Sequence, residues 1–225
     1  MTSSRAGYTL TELMVTVAII GGIASMAIPL SRGWMNNQTA GTVARGVGNA
    51  FRIARADAIR SGRNYIVFTS VGGAGDVAGN PLEDRSGNAA PILILDDGEP
   101  GSADQNCEID AGERIQTLSI DPAASEITWG PLLAGTTKAP GDLTATASTS
   151  GSSFTSPGGA PTTWVLFRPD GSAVGFDNAC SIGSIGTGNG AIYISNGTRD
   201  FAIVVSSLGG VRVHAWDETK AGWRN

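Results

Sequence analysis

Oxygen-bearing side chains recur at alternate positions in one acidic segment, LDDGEPGSADQNCEIDAGERI (residues 95–115). The alternating residues are Asp104, Asn106, Glu108 and Asp110. Calcium takes roughly six to eight hard oxygen ligands, so this spacing predicts a calcium site. An EF-hand has glycine at its sixth position and glutamate at its twelfth, where this loop has Ile109 and Ile115. A solvated acidic turn tied down by Cys107, with no bound cofactor, is therefore the alternative.

Two cysteines, Cys107 and Cys180, are the only cysteines in the sequence. In an exported domain such a pair can form one disulfide. That bond would connect the acidic segment to the loop before the last strands. Two buried free thiols are the alternative, because the sequence contains no distances.

Basic and aromatic side chains gather near the carboxy terminus. Arg212, Lys220 and Arg224 are candidate phosphate contacts, and Trp216 and Trp223 are candidate stacking platforms for bases. Acidic residues between them dilute this charge, and the whole chain has a net charge of −5. Binding of nucleic acid is therefore the less favoured interpretation of this region.

A single carboxylate, Glu12, precedes the longest apolar stretch of the chain, which has no charged residue from Leu13 to Leu30. At about 1.5 Å per residue a helix of this length measures about 27 Å, close to a hydrocarbon core of roughly 30 Å. The stretch therefore predicts a membrane-spanning helix, with its amino terminus kept in the cytoplasm by Arg5. A secretory signal peptide cleaved before Ile28 is an alternative, and a simple membrane anchor is another.

The residues around Glu12 form a more specific pattern. Gly7 is followed by an aromatic residue, Tyr8, Glu12 is the fifth residue after the glycine, and Pro29 lies in the apolar run. This pattern resembles the class III signal of type IV pilins and pseudopilins. The resemblance implies that a prepilin peptidase cleaves between Gly7 and Tyr8 and methylates the new amine. The family usually has phenylalanine after the cut and a large apolar residue before the glutamate, where this chain has Tyr8 and Thr11.

The resemblance also implies an assembly role for Glu12 and Pro29. A carboxylate carried into a membrane costs roughly 2.5–3.5 kcal/mol on insertion scales and usually has a partner. In a helical filament, Glu12 of one subunit can reach the new amine at Tyr8 of another and set the axial register. The alternative is a carboxylate that stays hydrated at the interface.

The remainder of the chain predicts an α+β fold. Residues 34–62 show helical spacing, and Ser61-Gly62 is expected to end this helix. The apolar positions are Val43, Val47, Phe51, Ala54, Ala58 and Ile59. Eight short strand-like runs follow, separated by Gly, Pro, Asn and Asp. Residues 54–68 and the last third of the chain resemble minor pilins and pseudopilins of the GspH/FimT type. We therefore expect a pilin-like fold: a long amino-terminal helix, transmembrane in its first half and amphipathic in its second, packed on antiparallel β-sheet.

Three segments follow from these patterns. Residues 1–7 are the predicted leader, residues 8–35 the transmembrane and assembly helix, and residues 36–225 an exported globular domain. The content of 32 glycines and 16% charged residues is typical of a loop-rich exported protein. The expected location is the bacterial inner membrane, with a single pass and the globular domain periplasmic or extracellular within a filament.

These features predict a structural subunit rather than an enzyme, since the one histidine, His214, has no nucleophile motif near it. The expected function is that of a minor pilin or pseudopilin that primes assembly at or near the tip of a type IV pilus or a type II secretion pseudopilus. Its expected partners are other subunits, the prepilin peptidase, the inner-membrane assembly platform and the membrane itself. The alternative function is a pilus-tip subunit that binds DNA during uptake.

Overall fold

A computed structural model describes residues 9–102, 105–110, 113–118, 127–145 and 148–224, without the side chains of residues 24, 26–36 and 148. The chain divides into two compact units, Met1–Gln38 and Thr39–Asn225. Helix α1 (Leu10–Ser61) contributes residues to both units. The predicted segment boundaries after residues 7 and 35 stay predictions.

Helix α1 ends where its sequence stops favouring a right-handed helix. Gly62 follows the last helical residue with φ at 72°, a left-handed conformation that glycine adopts without a Cβ clash. The N–H of Gly62 donates to the carbonyl oxygen of Ala58 at 3.0 Å. This bond satisfies one of the carbonyls that a helix terminus leaves free.

In the described part of the chain, ten strands form two antiparallel sheets of five strands each. The first sheet contains, in spatial order, β3 (Ile115–Leu118), β2 (Ile92–Asp96), β1 (Tyr65–Thr69), β5 (Trp164–Phe167) and β6 (Ala173–Val174). The second sheet contains β10 (Gly222–Arg224), β9 (Val211–Asp217), β8 (Asp200–Val205), β7 (Gly190–Ser195) and β4 (Thr128–Trp129).

The main core joins the second half of α1 to one face of each sheet. The helix contributes Ala40, Val43, Ala44, Val47, Ala50, Phe51, Ala54 and Ala58. Steps of three and four residues place these side chains on one stripe of the helix. Val67 and Phe167 reach the same cluster from the first sheet, and Ile192 and Ile203 reach it from the second. Both sheets therefore depend on the same helix face for their burial.

The other face of each sheet is also covered. Ile66 and Leu166 of the first sheet belong to a second apolar cluster, and Tyr193 and Ala202 of the second sheet belong to a third. Every residue of β1, β5, β7 and β8 is buried. Burial on both faces explains why these strands are near-continuous apolar runs and do not alternate with polar residues.

The predicted fold class is wrong. We expected a helix, transmembrane in its first half, packed on antiparallel sheet, whereas the protein is mainly β, with two five-stranded antiparallel sheets. Pairings between segments distant in sequence, such as Tyr65 with Phe167, decide which strand joins which sheet. Ile59, predicted to lie on the apolar face of the helix, is 52% exposed.

The predicted membrane-spanning helix and the single-pass inner-membrane location are also wrong. Within the residues that the structure describes, no helix combines the length and the apolar character needed to cross a membrane.

Candidate functional site

The start of α1 is held by reciprocal hydrogen bonds between Thr9 and Glu12. The backbone N–H and the hydroxyl of Thr9 each donate to Oε2 of Glu12 at 3.0 Å. In return, the backbone N–H of Glu12 donates to Oγ1 of Thr9 at 3.3 Å. This arrangement is a capping box, which satisfies backbone donors that the first turn of a helix leaves free.

The capping hydrogen bonds also set the charge of Glu12. The backbone N–H of Thr9, followed by its hydroxyl, holds the pKa of the Glu12 carboxyl below its ordinary value. The side chain is exposed, so at neutral pH it presents a negative charge that another molecule can reach. Its predicted role toward the amine of a neighbouring subunit stays a prediction, because Gly7 and Tyr8 lie outside the described residues. Pro29 lies in α1, but its side chain is outside the description.

Large apolar side chains at the start of α1, on both sides of Glu12 in sequence, are exposed to solvent. Their exposed fractions range from 56% to 77%. The residues are Leu10, Leu13, Met14, Val15, Val17, Ile19, Ile20 and Ile23, and together they form the amino-terminal apolar surface. Contiguous apolar surface of this kind marks an interaction site in most proteins, because water disfavours it.

The predicted disulfide is confirmed. Cys107 and Cys180 are bonded, their Cα atoms lie 5.5 Å apart, and 73 positions separate them in sequence. The bond joins the acidic loop after β2 to the loop before β7.

The four predicted calcium ligands are not shown as a set, because Asp104 lies outside the described residues. Asn106 and Asp110 bind each other, with Nδ2 of Asn106 donating to Oδ2 of Asp110 at 2.7 Å. The N–H of Glu108 donates to Oδ1 of Asn106 at 2.9 Å. These are hydrogen bonds of a self-contained turn, which fit the alternative of a solvated acidic loop. Calcium binding stays a prediction.

A buried carboxylate, Asp97, lies beside the disulfide. Its Oδ1 accepts a hydrogen bond from the N–H of Cys107 at 2.8 Å, while Oδ2 has no hydrogen-bond partner among the residues that the structure describes. One oxygen of Asp97 and both cysteine sulfurs lie within 4.8 Å of one another. Because the two sulfurs are bonded to each other, they are not available as thiolate ligands for a metal.

Burial dominates the ionisation of Asp97. Removal from water raises its pKa to about 7, and the nearby charges of Glu113 and Asp96 act in the same direction. The backbone N–H groups of Cys107 and Asn106 oppose this rise. Asp97 is therefore a carboxyl group that gains or loses its proton close to neutral pH.

We expect Asp97 to make the protein less stable as pH rises from about 4 to about 7. Because the folded-state pKa lies above the ordinary value of 3.8, the folded protein retains a proton that the unfolded chain releases. The contribution of the protonated group to the free energy of unfolding is complete below pH 3.8 and is lost as pH rises through the pKa of the folded protein. The free energy of unfolding falls by at most about 1.4 kcal/mol per pH unit from this cause.

Urea denaturation of wild type and Asp97→Asn at pH 5 and pH 8 measures this effect. The wild-type free energy of unfolding should fall more than that of the variant, by up to about 3 kcal/mol between these pH values. Glu108→Gln, which changes an exposed carboxylate of the same loop, is the control and should behave as wild type. Equal pH dependence of wild type and Asp97→Asn would contradict the prediction.

The carboxy-terminal cations are placed close to acids. Arg224 forms an ion pair with Asp217, and the indole rings of Trp216 and Trp223 make an edge contact with centroids 5.3 Å apart. A cleft of about 330 Å³ next to them is lined by Arg199 and Arg224, but also by Asp217 and Glu218. Pairing with Asp217 reduces the positive charge that Arg224 offers to a phosphate. DNA contact by Arg212, Lys220 and Arg224 stays a prediction.

Two features of these regions were missed from the sequence. The capping box has a visible signal, a threonine with a glutamate three positions later, in the same residues that resemble the pilin signal. The burial of Asp97 has no local signal, because the side chains that cover it come from separate parts of the chain.

Comparison with known proteins yields no assignment. No family model, no curated protein and no solved structure matches this chain. The chemistry of the described residues is therefore the basis for any assignment of function.

Proposed function

We propose that the protein is a filament subunit, a minor pilin or pseudopilin that assembles at or near the tip of a type IV pilus or a type II secretion pseudopilus. The observation that carries this proposal is the amino-terminal apolar surface, whose residues flank the charged side chain of Glu12 on both sides in sequence. The resemblance of residues 7–12 to a prepilin processing signal supports it. Its partners are other subunits of the filament and the prepilin peptidase, and its role is structural.

The apolar surface supports packing against the equivalent helices of neighbouring subunits. Full burial of one large apolar side chain contributes about 1.5–3 kcal/mol. The eight residues of the surface are more than half exposed, so their shared burial offers a substantial driving force for association. This force is non-directional and does not by itself set the axial position of one subunit against the next.

Glu12 can supply that axial register. Its charge would be costly in an apolar helix bundle unless an opposite charge lies next to it. Cleavage after Gly7 provides a positive amine at Tyr8, one position before the capping residue Thr9. Pairing between Glu12 and the amine of a neighbouring subunit is then favoured in only one register.

The capping box allows the charge of Glu12 to be separated from its capping role. Glutamine at the same position can still accept the hydrogen bonds from Thr9, but it has no charge. Alanine removes both functions. Thr9→Val removes the hydroxyl from the cap and keeps the carboxylate, so it is the matched control.

We expect Glu12→Gln and Glu12→Ala to reduce incorporation of the protein into filaments several-fold, while Thr9→Val stays close to wild type. The measurement is the amount of this subunit in sheared filaments relative to whole cells, with circular dichroism to show that each variant folds. Intact mass of the filament-bound subunit should correspond to a chain that starts at Tyr8 with a methylated amine. Normal incorporation of Glu12→Gln would show that Glu12 acts only as a helix cap. Absence of the wild-type protein from filaments would refute the proposed function.

A further inference from the structure

A cavity of about 270 Å³ lies beside the two loops that the disulfide joins and is distinct from the amino-terminal surface. Asn64, Gln105, Arg168 and Gly183 line it, together with Pro100 and Ile182, and we call it the Arg168 cavity. Its volume is small compared with the roughly 300–1,000 Å³ of typical ligand pockets, so it suits a small molecule.

The walls of the Arg168 cavity are held in place by covalent and backbone bonds. Gln105 precedes Cys107 by two positions, and Ile182 follows Cys180 by two. The disulfide therefore joins the two loops that contribute Gln105 and Ile182 to the cavity. Asn64 is fixed by two backbone hydrogen bonds, from its N–H to the carbonyl of Gly98 at 2.8 Å and from the N–H of Asp97 to its carbonyl at 3.0 Å.

The backbone of Arg168 is also anchored. Its N–H donates to the carbonyl oxygen of Ser172 at 3.0 Å, which fixes the backbone directly after β5. Within the described part of the chain, its half-buried guanidinium has neither a hydrogen bond nor an ion pair. The nearby Asp170 accepts hydrogen bonds at Oδ1 from the N–H and the hydroxyl of Ser172, at 2.8 and 2.6 Å. These bonds, and to a smaller extent the charge of Arg168, hold the pKa of Asp170 below its ordinary value.

The two amide side chains of the cavity add further donors. Asn64 is 2% exposed; its buried Oδ1 has no hydrogen-bond partner among the described residues, and its amide nitrogen can donate. The Oε1 of Gln105 accepts from the N–H of Gly101, which leaves the amide nitrogen of Gln105 to donate. Three residues whose side chains can donate hydrogen bonds, one of them cationic, therefore line one small space.

Two of the neighbouring acids interact with other groups. Asp96 forms an ion pair with Arg63, whose Nε lies 2.7 Å from its Oδ1. Oδ1 of Asp97 accepts a hydrogen bond from the N–H of Cys107. The unpaired guanidinium of Arg168 is thus the charge that the cavity offers to a ligand.

We propose that the Arg168 cavity binds a small carboxylate. The planar guanidinium of Arg168 forms two parallel hydrogen bonds to the two carboxylate oxygens, a geometry that a carboxylate matches and that gives strong, charge-assisted bonds. The amides of Asn64 and Gln105 donate to the outer lone pairs of the same oxygens. A free organic acid of a few carbons and the carboxy terminus of a peptide offer the same chemistry.

The test is a titration of the purified full-length protein with acetate, succinate and a tripeptide, followed by isothermal calorimetry or amide chemical shifts. Saturable binding of at least one carboxylate is expected. Tighter binding of acetate or succinate indicates a free organic acid as the ligand, and tighter binding of the tripeptide indicates the carboxy terminus of a peptide. Arg168→Gln should weaken binding about tenfold or more, since hydrogen bonds to charged groups contribute about 1.5–3 kcal/mol. Arg199→Gln, which alters an arginine of the separate carboxy-terminal cleft, is the matched control and should bind as wild type.

Gln105→Glu provides a second variant, because it places a negative charge on a half-buried loop position while leaving Arg168 intact. It should also weaken binding, and it decides the outcome if circular dichroism shows that Arg168→Gln does not fold. The proposal is overturned if no carboxylate saturates the protein, or if the folded variants bind as wild type. Tighter binding of inorganic phosphate, or equal binding of a tripeptide with an amidated carboxy terminus, overturns it as well.

Discussion

A Cys107→Ser/Cys180→Ser variant is expected to lose about 4 kcal/mol of unfolding free energy relative to the oxidised wild type. The disulfide connects residues 73 positions apart, and the chain-entropy model gives a crosslink over such a loop about 4 kcal/mol of stabilisation. Cys107 is fully buried, so a serine hydroxyl at this position also has to be desolvated. Urea denaturation of both proteins measures the difference.

A reductant separates the effect of the bond from that of the substitutions. Addition of a dithiol should destabilise the wild type by a similar amount and leave the double variant unchanged. Because the bond also joins two walls of the Arg168 cavity, carboxylate binding should weaken with it. A variant within about 1 kcal/mol of the oxidised wild type would show that native packing, not the crosslink, holds these loops together.

Replacement of Phe51 by alanine is expected to lower the free energy of unfolding by about 3–5 kcal/mol, the usual cost of removing a buried phenylalanine. Phe51 is fully buried in α1, and its ring lies 6.0 Å from that of Phe154 and 6.5 Å from that of Phe167. The cluster around it joins the helix to both sheets, so the cavity left by alanine affects the whole core. Chemical denaturation followed by circular dichroism measures the loss.

Ile53→Ala is the matched control, because Ile53 lies on the same helix but is 45% exposed. This control should cost about 1 kcal/mol or less, since little packing is lost at an exposed position. Similar losses in the two variants would indicate that α1 is not part of the cooperative core. That result would contradict the packing of the helix against both sheets.

Most strands could be predicted from local sequence because they are buried on both faces. The runs NYIVFTS and FAIVVSS contain β1 and β8, which have no exposed residue. The predictions missed β6 and β10, since strands of two and three residues are too short to show a periodic pattern. The predicted fold class is wrong even though most strands are predicted, because local sequence does not show which strands pair to form the two sheets.

The helix shows the same limit. Spacing of three and four residues predicted the buried positions Val43, Val47 and Phe51, and Ser61-Gly62 predicted the end of the helix. Ile59 continued the pattern but is half exposed. The apolar run after Glu12 predicts a membrane-spanning helix. In the described part of the chain, however, no helix is both long enough and apolar enough to cross a membrane.

For the candidate sites, residue chemistry was visible in the sequence and geometry was not. Thr9 and Glu12 carry the signal of a capping box, and the same glutamate fits a processing signal, so a sequence pattern alone cannot separate the two roles. The four alternating oxygen side chains of the acidic loop suggested calcium. Hydrogen bonds now join Asn106 to both Glu108 and Asp110 within one turn.

The sequence by itself determined the local features of this protein: the ends of α1, the apolar runs that became strands, and a single pair of cysteines. Neighbouring residues decide such features through backbone geometry and side-chain periodicity. Only the tertiary structure decided that Cys107 lies within bonding distance of Cys180, that Asp97 is buried beside them, and that the strands divide into two sheets. It likewise brought Asn64, Gln105 and Arg168 to one cavity. These outcomes depend on contacts between residues far apart along the chain, and local periodicity carries no information about such distances.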